Sequence, residues 1–157
     1  MPVIELSTRI AAPLERVFDL ARSIELHVVS AGGTEERAIG GVTSGLVGPG
    51  DTVTWSARHL GVRQRLTVRI TAFDRPRHFR DTQVRGAFRR FDHDHLFDEA
   101  GGVTVMRDVF DYTSPFGVLG RIADALFLER SMRRFLAVRA CEVRAAAESD
   151  GWQQFVG

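Results

Sequence analysis

The stretch Pro115–Ala147, PFGVLGRIADALFLERSMRRFLAVRACEVRAAA, decides the fold. It is the only run able to cross the whole domain as one helix, since about 30 residues at about 1.5 Å each give roughly 45 Å. Leu119, Ile122, Ala123 and Leu126, then Leu128, Met132, Phe135, Leu136 and Val143, fall at three- and four-residue steps and predict one apolar stripe. Arg121, Asp124, Arg130, Arg133, Arg134, Glu142 and Arg144 occupy the other faces. A stripe of that length needs a broad, concave cover, and the chain before it reads as mostly β. The predicted class is α+β: a curved antiparallel sheet of about seven strands gripping the long helix, with a cavity between them.

Immediately upstream, strands are predicted at Thr52–Leu60, Arg63–Phe73, His78–Arg85, Arg89–Asp98 and Val103–Thr113. Their short connections impose antiparallel neighbours. Further back, Gly40–Gly50 holds five glycines in eleven residues, with no phosphate-binding spacing, and is expected to be a mobile flap at a cavity mouth. Thr34–Ile39 reads as a weak strand. Two short helices are expected, one opened by Pro13 and carrying Leu14, Val17, Phe18 and Ala21, the other over Ile24–Val29. Helices this short need the sheet for support. Val3–Ile10 alternates as a first strand with one wet side.

The 157 residues predict a single domain, 1–157, and 44% hydrophobic against 26% charged residues suffices for an ordinary core. Lys and Arg total 21 against 20 Asp and Glu, dispersed along the chain, which disfavours a nucleic-acid partner. The lone Cys141 has no internal disulfide partner. Glu5 and Arg9 interrupt any signal peptide, and no apolar run approaches the ~20 residues of a membrane span, so a soluble cytoplasmic protein is expected.

Candidate functional residues come from polar side chains on inner strand faces. In Arg89–Asp98 the alternation Phe91, His93, His95, Phe97 places both histidines on the core side. In the next strand Asp108 shares a face with Thr104, Met106, Phe110 and Tyr112, across from or diagonal to His93. Phe79 facing inward carries Asp81 and Gln83 with it. Unpaired burial would cost about 1–3 kcal/mol per group, so these residues must bond one another, water or a ligand. A register-fixing network, a wet cavity meeting a ligand's polar end, and a His93–Asp108 acid/base pair all fit that requirement. A metal held by His93, His95 and a carboxylate also fits, but alternate residues on a strand are not a specific signal, and no metal or cofactor is expected. The wet cavity is the favoured reading, its wall formed by Trp55, Leu66, Val68, Phe91, Phe110 and Tyr112 with Leu126, Met132 and Phe135 on the helix.

The order of elements, with Ala12-Pro13-Leu14-Glu15-Arg16-Val17-Phe18, Ile70–Pro76, Asp81–Phe88, the Phe91–Phe97 alternation, and Met106-x-Asp108-x-Phe110-x-Tyr112 before Pro115-Phe116-Gly117, resembles the SRPBCC superfamily. This is the START-like or birch-pollen-allergen-like helix-grip fold, here closest in pattern to bacterial ligand-binding SRPBCC and polyketide cyclase/dehydrase-like proteins. The resemblance covers essentially the whole chain. It implies an internal cavity for a small, largely apolar molecule such as a lipid, quinone or polyketide-like compound, or alternatively a cyclase or dehydratase using His93 and Asp108.

Overall fold

A computed structural model describes residues 2–31, 35–59 and 61–156. The elements are β1 (Val3–Ile10), α1 (Leu14–Ala21), α2 (Ile24–Ser30), β2 (Arg37–Gly41), β3 (Thr52–His59), β4 (Val62–Asp74), β5 (His78–Arg85), β6 (Arg90–Ala100), β7 (Val103–Thr113), α3 (Gly117–Ala123) and α4 (Glu129–Ala147). All seven strands form one antiparallel sheet in the order β1-β7-β6-β5-β4-β3-β2. Register slips at Ala38/Gly40, Thr67/Val68 and Ile70/Ala72 add the bulges that bend such a sheet into a grip. Leu60 and Thr34 lie outside the described residues, and β2 begins at Arg37, later than the spacing predicts.

The alternation read from sequence holds across the central strands. Phe91, His93, His95 and Phe97 on β6 are buried, as are Thr104, Met106, Asp108, Phe110 and Tyr112 on β7, while Arg65 and Arg69 on β4 are exposed. Phe18 on α1 packs edge-on against Phe73, Phe79 and Phe97, so the short helices plug one end of the sheet. Ser23 caps α2 by accepting from the Leu26 amide, and the buried Thr104 hydroxyl donates to the Ala12 carbonyl at 2.7 Å.

The long helix differs from expectation in its first half. α3 and α4 are joined by a π-helical segment, Asp124–Leu128, into one continuous helix of 31 residues. Leu136, Ala140, Val143, Ala146 and Ala147 are buried, but Leu119, Ile122 and Leu126 are exposed at 73%, 53% and 62%. The reason is that no face of α3 packs on the sheet: every residue of Gly117–Ala123 except Gly120 is exposed, and the buried row begins only at Leu136 in α4. The π turn adds a residue between the two halves, and the sequence carries the same break, a two-residue step from Leu126 to Leu128. At the entry to α3, Phe116 takes a left-handed φ of 68°, and a Cβ on Gly120 would lie 1.7 Å from the Pro115 carbonyl oxygen, so only glycine allows this turn.

The glycine-rich loop is tied down, contrary to the expected free flap. The Gly45 carbonyl accepts from the Ile24 amide and its N–H donates to Glu25, while Val47 bonds the Arg22 carbonyl and buries its own side chain. The Arg22 guanidinium donates to the Val47 carbonyl at 2.9 Å. These anchors hold the loop against α2 beside the interior, where Val47 lines a cavity.

On the outer face Asp94 accepts from Arg80 at 2.9 Å and bonds His78 at 2.6 Å. Burial would raise its carboxyl pKa, but the hydrogen bonds from Arg80 and His78 outweigh that and hold it below the ordinary value. A depressed folded-state pKa contributes stability above the unfolded pKa near ~4 that is lost as pH falls through the folded value. Arg80 is 41% exposed, which limits the pair to about 1 kcal/mol. Asp94→Asn should lower stability by up to that amount near neutral pH and flatten the acid side of the curve, measured by urea denaturation across pH. Parallel wild-type and variant curves between neutral and acid pH would show that Asp94 makes no such contribution.

Candidate functional site

Three adjacent strands bring four ionisable side chains to one point inside the grip. Asp81 on β5 pairs with His93 on β6, and His95 pairs with Asp108 on β7, so the register sets the two carboxylates on opposite sides of the two imidazoles. His93, His95 and Asp108 are 4%, 3% and 6% exposed. Asp108 Oδ1 lies 3.0 Å from His93 Nε2 and 3.1 Å from His95 Nδ1. A carboxylate oxygen only accepts, so both ring nitrogens carry hydrogen and donate to it. The opposite nitrogens face Asp81 Oδ1, at 3.6 Å from His93 Nδ1 and 3.4 Å from His95 Nε2. The second approach falls short of hydrogen-bond geometry: Asp81 Oδ1 and His95 Nε2 are buried without a hydrogen-bond partner among the described residues. The rings lie 3.9 Å apart, and Phe79 stacks on His95 at 4.2 Å.

Charge follows this geometry. Burial opposes the protonated form of His95, but hydrogen bonding to Asp108 and the nearby Asp81 prevail and push its pKa up to about 9. Burial and the adjacent His95 charge push His93 down, keeping it neutral. Burial would raise both carboxyls. The fields of His93 and His95, joined by Arg139, hold Asp81 well below the usual range, and the hydrogen bonds of the two histidines do the same for Asp108.

Two small spaces adjoin the cluster. One, about 40 Å³, is lined by Trp55, Val53, Val68, Ile70, Phe79, Val47 and His27 together with Asp81, His95 and Arg139. The other, about 10 Å³, lies between the histidines, Asp108, Met106 and the α4 residues Leu136, Arg139, Ala140 and Val143. Trp55 and Val68 therefore sit where the sequence places them. Phe91, Phe110 and Tyr112 form an aromatic cluster with Phe88, and Leu66, Met132 and Phe135 pack against the core; none of these lines either space. Leu126 is not a wall residue, because the helix before α4 stands clear of the sheet and leaves it exposed. Gln83 stands apart from the cluster, its amide donating to the Phe88 carbonyl at 2.8 Å.

Arg139 and His27 are absent from the sequence-based set. Arg139 lines both spaces yet makes no hydrogen bond or ion pair among the described residues. Its signal was available: it lies seven residues after Met132 and four after Phe135, on the buried row of the helix. His27 stacks on Trp55 at 4.0 Å and bonds Glu36, and burial, then Arg139, keep it neutral.

The curved seven-stranded sheet closed by two short helices and a long C-terminal helix is a helix-grip fold. No protein-family model matches the sequence, and neither does any curated protein. Among solved structures the chain is similar to the protein TTHA0849 from Thermus thermophilus, with 21% identity over 94% of this chain and 100% of that one at a TM-score of 0.72. It is also similar to the Zhui aromatase/cyclase from Streptomyces sp. R1128, with 16% identity, 94% and 93% coverage and a TM-score of 0.70. A START superfamily protein from Mycobacterium smegmatis matches at 12% identity, 90% and 95% coverage and a TM-score of 0.67. At these identities the shared property is the fold.

Asp108 holds two buried imidazoles, so removing it strands two donors. Asp108→Ala should cost about 3–5 kcal/mol in chemical denaturation. A loss under about 1 kcal/mol would mean that the histidines have other partners.

Proposed function

We propose that the chain binds a small, largely apolar molecule bearing an acidic end, of lipid, quinone or polyketide-like character, between the sheet and α4. The observation that carries this reading is Arg139, a guanidinium facing the interior beside Trp55, Val53, Val68 and Ile70 with no bonding partner among the described residues. A half-buried guanidinium without a bonding partner is incompletely compensated, and a carboxylate on an apolar ligand would satisfy it bidentately, a phenolate through its one oxygen. The space of about 40 Å³ is far below the roughly 300 Å³ of ordinary ligand pockets, so entry requires the grip to open. The segment suited to that movement is Phe116–Leu128, which has a left-handed entry residue, a π turn and outward apolar side chains. Turnover by a His93–Asp108 acid/base pair is the second reading, favoured by their 3.0 Å hydrogen bond.

The test uses lauric acid and lauryl alcohol as matched probes, measured by calorimetry. Arg139→Leu should weaken the acid about 10- to 100-fold, the worth of a charged hydrogen bond, and leave the alcohol unchanged. Equal affinity of wild type and variant for the acid, or no binding of either probe by the wild type, would overturn the proposal.

A further inference from the structure

Alternation along a strand offers no reason to expect a metal, but the positions of Asp81, His93 and His95 do. Asp108 occupies one nitrogen of each imidazole, leaving His93 Nδ1 and His95 Nε2 to face elsewhere, the latter able to ligate once a metal displaces its proton to solvent. Both lie within 3.6 Å of the same oxygen, Asp81 Oδ1, and the three residues offer ligand atoms within 4.8 Å of one another. The 3.4 and 3.6 Å approaches are too long or too poorly aligned for hydrogen bonds, and Asp81 Oδ1 and His95 Nε2 are buried without such a partner among the described residues. Ligand atoms bonded at about 2.0–2.1 Å to a tetrahedral ion stand roughly 3.3–3.4 Å apart along each edge. The two separations from Asp81 Oδ1, 3.4 and 3.6 Å, are close to that edge length.

We propose that Asp81, His93 and His95 form a binding site for a divalent transition-metal ion, zinc by donor type, with its fourth position open to the cavity beside Arg139. Two imidazoles and a carboxylate suit zinc and disfavour magnesium or calcium, which take oxygen. Asp108 supplies what metal-bound histidines require, a carboxylate that accepts from the non-ligating nitrogen and fixes ring orientation, here for both rings at once. The carboxylates of Asp81 and Asp108 also balance a divalent charge that would otherwise be isolated among Phe79, Met106 and Val68. The space of about 40 Å³ beside Asp81 and His95 accommodates a coordinated water, and Arg139 lines the same space, placed to meet an anion on that position. The three donors converge whether or not an organic molecule enters, so the metal site is independent of the ligand reading.

The tag-free chain, stripped with chelator and desalted, is titrated with Zn²⁺ by calorimetry and with Co²⁺ by visible absorption. One equivalent per chain is expected, with the intense d–d bands of four-coordinate cobalt and a raised Tm. Asp81→Asn, which takes one carboxylate charge from beside His95, should lower the Tm of the metal-free protein but leave it folded with a cooperative transition, and should weaken binding at least about 100-fold. His95→Phe should abolish it. Asp108→Asn, which keeps an acceptor oxygen, should weaken it about 10- to 100-fold. Absence of stoichiometric uptake, weak six-coordinate cobalt bands, or uptake equal in wild type and Asp81→Asn would each overturn the site.

Discussion

The interior depends on one shared acceptor. Asp108 Oδ1 takes hydrogen bonds from His93 and His95 inside a grip otherwise walled by Phe79, Met106, Phe110 and Leu136. Placing a carboxylate and two imidazoles there is unfavourable unless they bond one another. That requirement fixes the register of β6 against β7, since a one-residue slip would turn Asp108 toward solvent and leave both rings unpaired. The tight turn between Ala100 and Val103 enforces the same register from the covalent side.

The helix supplies the opposite wall but not uniformly. From Leu136 onward α4 closes the interior with small and branched residues, and Arg139 is the one charged side chain on it that lines both spaces. Before that, α3 and the π segment stand clear of the sheet and leave Val118, Leu119, Ile122, Leu126 and Phe127 exposed. One helix thus has an end packed against the polar cluster and an apolar end that is largely exposed.

Much of this was legible in the residues. Period-two alternation with aromatic ends put His93 and His95 inside, and the same argument placed Asp81 and Asp108, because one buried face leaves a strand little choice. Gln83 followed the alternation yet joined a different local bond, to Phe88, which no strand pattern encodes. Leu126 failed because an apolar stripe shows which face of a helix would be buried and not how far along the helix the sheet reaches, and here the sheet does not cover the first half. Arg139 was missed for a chemical reason: arginines are normally solvated, so its position on the buried row was outweighed by its type.

The shared acceptor is tested most directly by long-range ¹H–¹⁵N NMR of the imidazoles in the metal-free protein. The account predicts protonated His93 Nε2 and His95 Nδ1, both protected from solvent exchange by their bonds to Asp108, and a bare His93 Nδ1 facing Asp81. A His93 ring protonated on Nδ1 with Nε2 bare, or free exchange of the Nε2 and Nδ1 protons, would contradict it.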